Sequence, residues 1–125
     1  MNASRTLLMT AIVLALHAAE EYFTGFYNVD SIIHWLASTL EIQPLSAWIL
    51  VEAAVFALVG LVYLFQSQKI LWAILLLFIF AQLYHFYLAL SQHEYGGLIT
   101  AFLFIPLLWF VYEASPLKFI PASPP

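Results

Sequence analysis

His17, Glu20 and Glu21 stand at i, i+3 and i+4 inside the first apolar stretch of the chain. On a helix this spacing gathers the three side chains into an arc of roughly 100°. Thr10, Thr24 and Asn28 extend the same stripe. Glu52 interrupts a second apolar stretch, and Gln82, His85 and Gln92 share one helical face of a third. Imidazole and carboxylate without thiolate suit Zn²⁺, Mn²⁺ or non-haem iron, and the chain contains no cysteine. Two ligands three residues apart on an inward helix face are also how helical bundles build carboxylate–histidine metal sites. The order here is His-x-x-Glu and a full dinuclear set is missing, so a mononuclear site is expected. His17, Glu20, Glu21, Glu52 and His85 are the candidate ligands. The same residue types also permit chemistry without a metal. Glu20, Glu21, Glu52 and His85 would then be the acid–base groups, exchanging protons near neutral pH and stabilising carbocation character in a lipid double bond.

The elements that must position these residues are apolar helices. Of 125 residues, 65% are hydrophobic, 18% aromatic and only 8% charged. A soluble domain of this size could not cover so much apolar surface. Lipid is the expected solvent, and with three Lys and Arg in all, a nucleic-acid surface is excluded. Four stretches approach the ~20 residues needed to cross a bilayer: Thr6 to Tyr27, Leu45 to Phe65, Ile70 to Leu90 and Gly97 to Tyr112. The fold expected is an all-α, four-transmembrane-helix bundle over residues 1–114, followed by an irregular Pro-rich tail over 115–125. Pro106 removes a helical donor from the fourth stretch and predicts a kink there. Asp30 or Ser31 can N-cap a short apolar helix between the first two crossings, lying on the membrane surface as a lid. The first stretch lacks a clean cleavage site after His17-Ala18-Ala19-Glu20-Glu21 and reads as a retained helix rather than a signal peptide. Four crossings put Arg5, Lys69 and Lys118 on one side, which predicts cytoplasmic termini.

Depth ties the residues together. Counted at about 1.5 Å per residue from the outer helix ends, Glu20, Glu21, Glu52 and His85 lie roughly 8–11 Å deep, with His17 a turn deeper. Thr100 reaches the same layer on a face opened by Gly96 and Gly97. No Lys or Arg lies near that depth, so protons, a protonated histidine, a metal ion or a cationic ligand must neutralise the carboxylates. His34, His93, Glu41 and Glu113 fall in loops or at the membrane boundary and read as solvated. Ala53, Ala57, Gly60, Gly97 and Ala101 read as close-packing positions. The plainest alternative for the central cluster is a hydrogen-bond network that only joins helices, for which a glutamate pair is a costly choice.

The run His17-Ala18-Ala19-Glu20-Glu21-Tyr22-Phe23-Thr24-Gly25-Phe26 resembles the motif of the HXXEE family of small bacterial and archaeal membrane proteins. His85 and the run from Gly96-Gly97-Leu98-Ile99-Thr100-Ala101 to Pro106 also look like that family's pattern, so the resemblance covers most of the chain. It implies an inner-membrane protein and no particular reaction, because the family has no assigned function. A fainter likeness, at the level of fold, is to the emopamil-binding type of four-helix sterol isomerase, whose His and Glu at i, i+4 would correspond to His17 and Glu21. The leading expectation is a membrane-embedded metal-binding protein acting as an enzyme on a lipid or other apolar substrate. The alternatives are a metal-free acid–base isomerase or lipid-binding protein, and a proton-coupled carrier or structural subunit.

Overall fold

The computed structural model describes residues 3–65 and 68–114, and the tail expected at 115–125 lies outside them. The described residues are helical throughout, joined by short turns: α1 (Ala3–Thr24), a 3-10 turn (Phe26–Asn28), α2 (Ser31–Leu40), α3 (Pro44–Phe65), α4 (Gln68–Gln92), α5 (Leu98–Ala101) and α6 (Phe104–Ala114). Among them α1, α3 and α4 are long and apolar enough to cross a membrane. Their exteriors are apolar as well: Phe23, Leu64, Phe80 and Leu90 are all exposed. Helices apolar on every face are stable where lipid replaces water.

Sequence chemistry sets the boundaries. Gly25 takes a left-handed backbone (φ 70°) that ends α1. Asp30 caps α2, its Oδ2 accepting the Ile33 N–H at 2.9 Å, as the sequence predicts. Glu41 ends α2 in the left-handed region, with the Ile42 N–H returning to the Ala37 carbonyl at 3.0 Å. Pro44, which has no N–H to lose, opens α3.

The fourth apolar stretch differs from expectation. It is not one helix but two, because the chain breaks at Phe102–Leu103 between α5 and α6. Pro106 supplies the reason. It offers no N–H to the Phe102 carbonyl four residues earlier, and its ring crowds that carbonyl. The backbone there tightens to three-residue spacing, with Leu103 N–H on Thr100 O at 3.0 Å and Ile105 N–H on Phe102 O at 3.2 Å. Where the sequence predicts a kink at Pro106, the irregularity is a change of hydrogen-bond spacing at Phe102–Leu103. Even taken as one run, Leu98–Glu113 is shorter than α1, α3 and α4, and three helices of spanning length, not four, stand among the described residues.

Two cores hold the elements. Leu7, Leu14, Val62, Leu75, Phe104 and Val111 belong to one that joins α1, α3, α4 and α6. A second joins α2 to α3 through Ile33, Ala37, Ala47 and Trp48, with Ala18 and Tyr27 against it. The short helix α2 is thus packed on the start of α3 and on the 3-10 turn.

Candidate functional site

Glu21 is the centre of the arrangement. Its side chain is buried, and its Oε1 lies 3.3 Å from His17 Nε2 and 3.0 Å from His85 Nε2. Its Oε2 accepts the Trp48 indole N–H at 2.8 Å. One carboxylate therefore draws together α1, α3 and α4. His17 and Glu21 meet because i, i+4 is the nearest-neighbour spacing on a helix. His85 arrives from α4 with its ring edge-on to His17, the centroids 4.9 Å apart.

His17 is held from its other side. Its Nδ1 lies 2.7 Å from Thr100 Oγ1 on α5. Thr100 Oγ1 in turn donates to Glu20 Oε2 at 2.7 Å, and Glu20 also accepts the Ile99 and Thr100 backbone N–H groups at 3.1 and 3.2 Å. A hydroxyl has a single proton. When Thr100 donates to Glu20 it accepts from His17, an arrangement that places a hydrogen on His17 Nδ1. In neutral His17, Nε2 then presents a bare lone pair to the Glu21 oxygen. Two acceptors facing each other at 3.3 Å call for a cation between them, a proton or a metal ion.

The donor set fits a metal. His17, Glu21 and His85 each offer a ligand atom, all within 4.8 Å of one another. Ligands around a tetrahedral ion with bonds near 2.1 Å sit about 3.4 Å apart, close to both Nε2–Oε1 separations. His₂–carboxylate sets with an open position belong to catalytic zinc and non-haem iron.

A cavity of about 190 Å³ adjoins these groups, lined by His17, Glu21 and His85 together with Glu52, Asp30 and Gln82. The rest of its wall is largely apolar, including Leu14, Ile33, Val55 and Phe78. Glu52 is half-buried and its carboxyl group approaches that of Glu21. Gly97 makes the geometry possible. A Cβ there would stand 2.6 Å from His85 Cε1 and 3.0 Å from His17 Cε1, and its φ of 81° is one that other residues rarely adopt.

The structure thus gathers His17, Glu21 and His85 into contact, with Glu52 at the edge of the group. It places Glu20 one step back, on Thr100 and the first turn of α5, where it orients His17 instead of facing the cavity. His34 and His93 are exposed and outside the group, His34 bonding the Asn28 carbonyl at 2.8 Å. Three residues escaped the sequence reading as parts of the site. Trp48 lies four residues before Glu52, on the same face of α3, and that spacing was the available signal. Asp30 was legible as a cap but not as a buried acid lining the cavity, where its Oδ1 accepts the Tyr84 hydroxyl at 2.7 Å. Tyr84 had no distinguishing signal among seven tyrosines.

No family model, no curated protein and no solved structure matches this chain. Fold and site together define its class: an all-helical protein with membrane-spanning character and a buried His/Glu group that could hold a metal ion.

Proposed function

We propose that the protein is a membrane-embedded, divalent-metal-binding enzyme that acts on a lipid or other apolar substrate. One observation carries the reading. Two imidazole Nε2 atoms, those of His17 and His85, converge on a single buried carboxylate oxygen of Glu21. His17 and His85, with Glu21, would hold the ion, and Glu52 lines the same cavity outside that group. A divalent ion there would supply Lewis acidity at the inner wall of an apolar cavity. The chain's own groups do the rest: Thr100 and Glu20 keep His17 in its ligand tautomer, Trp48 orients Glu21, and α2 covers the site against water. In the same proposal α5 and α6, which run back along α1, form the fourth crossing as a broken helix, with both termini cytoplasmic. The motif shared with the HXXEE family is then the α1 part of a metal site.

A second reading keeps the same residues without a metal. His85 Nδ1 is buried and has no hydrogen-bond partner, whereas metal-bound histidines ordinarily give that nitrogen one. A neutral His85 donating from Nε2 to Glu21, beside Glu52, is an acid–base pair suited to moving a double bond. Elemental analysis of the purified protein separates the two. The metal reading expects one bound ion per chain, lost in His17→Ala and in His85→Ala. Absence of stoichiometric metal after expression in metal-supplemented medium and after reconstitution would sink it in favour of the second.

A further inference from the structure

We infer that the cavity receives the hydroxyl-bearing end of a neutral long-chain alcohol, with Gln82 as the residue that recognises the hydroxyl. The inference rests on the proposal that an apolar substrate uses this site, and it names the class of substrate. Gln82 lines the cavity from α4, is 7% exposed, and its Oε1 has no hydrogen-bond partner. A buried amide oxygen left without a donor is costly, and a ligand hydroxyl is the simplest group to supply one.

Charge narrows the choice. Glu21, Glu52 and Asp30 line the cavity, and no Lys or Arg does. An anionic head group, carboxylate or phosphate, would meet carboxylates in a low-dielectric pocket with nothing to neutralise it. Glu21 and Asp30 already have both oxygens occupied, the one by His85 and Trp48, the other by Ile33 N–H and Tyr84. Among the carboxylate and amide oxygens of the lining, those of Gln82 and Glu52 remain to accept from a ligand; the other unpartnered buried polar atom among the described residues, His85 Nδ1, lies against Gly97.

Size and position give the tail. A cavity of ~150 Å³ holds a molecule the size of benzene. The ~190 Å³ here therefore admits a head and a few carbons but not a whole lipid. Its lining reaches the surface at Ile32 of α2 and Ala81 of α4, which are exposed, with Val51 and Val55 of α3 half-buried. Those surface residues are apolar. A chain attached to the hydroxyl would leave past them.

The test compares four probes of equal chain length on the full-length protein in lipid nanodiscs: 1-dodecanol, dodecane, lauric acid and dodecylamine. Binding is read as the concentration dependence of the melting temperature. Dodecanol should bind roughly 3–10-fold more tightly than dodecane, the advantage of one net hydrogen bond, and lauric acid should bind no better than dodecane. In Gln82→Met, which keeps length and apolar volume, the dodecanol advantage over dodecane should vanish. Equal binding of dodecanol and dodecane by the wild type overturns the inference without any variant. So does a preference for lauric acid or dodecylamine, or a dodecanol preference that survives Gln82→Met. Metal content, measured on the same samples, reports separately on the proposed metal site.

Discussion

Replacing Glu21 by glutamine divides the metal reading from the acid–base reading most cleanly. The substitution keeps shape and removes charge. The amide oxygen can still accept from Trp48, and the NH₂ can donate to the bare Nε2 of His17, so the loss confined to the apo protein is one acceptor for His85. That loss should cost about 1–2 kcal/mol. The metal term is larger. An ion present at a hundred to a thousand times its Kd stabilises the folded state by about 3–4 kcal/mol. For a chain of this size 1 kcal/mol corresponds to roughly 3–5 °C in Tm. Wild-type protein in detergent should therefore melt about 10–15 °C lower after chelation and recover with one divalent metal. Glu21→Gln, which replaces an anionic ligand by a weak neutral one, should show a chelator shift of under ~3 °C. Differential scanning fluorimetry with and without chelator, on both proteins, measures all four values. An equal chelator shift in the two would place the metal away from Glu21. No shift in the wild type, with Glu21→Gln as stable as its parent, would remove the metal reading altogether.

Other perturbations probe the supports of the site. Gly97→Ala places a methyl group against both imidazoles and forces an unfavourable φ, so it should cost about 2–4 kcal/mol in Tm measurements and abolish bound metal. A variant of parental stability and full metal content would show that the loop is not seated as described. Thr100→Val removes the acceptor for His17 Nδ1 while keeping size; ¹⁵N spectra of labelled histidine should show His17 losing its Nδ1–H preference, and Thr100→Ser should restore it. An unchanged spectrum would mean that the Glu20–Thr100 pair does not set the tautomer. Tyr84→Phe leaves Asp30 Oδ1 without its donor and should cost about 1–2 kcal/mol, with faster proteolysis between α2 and α3 as the second readout. For topology, single cysteines at Ser38 and Ser91 should label from one side and a cysteine at Glu113 from the other. If Glu113→Cys labels with Ser91→Cys, α5 and α6 do not cross.

How much was legible in the sequence depends on the range over which each feature is decided. Helix existence, the apolar exterior, the Asp30 cap and the break caused by Pro106 follow from local rules of spacing, side-chain chemistry and missing donors. Depth counting carried further, because helices that cross a slab of fixed thickness bring residues at equal depth to one layer, and His17, Glu21 and His85 do meet. Rotation about each helix axis is another matter. It is decided by packing between helices, and depth says nothing about it. Glu20 and Glu21 are neighbours with near-equal depth, yet one turns to Thr100 on α5 and the other to His85 on α4. Trp48 and Asp30 belong to the site through the packing of α3 on α1 and of α2 on α3, which no local rule states. The break between α5 and α6 could be read from one proline. That it brings Thr100 to His17, and so sets which nitrogen of His17 faces Glu21, is a property of the assembled bundle alone.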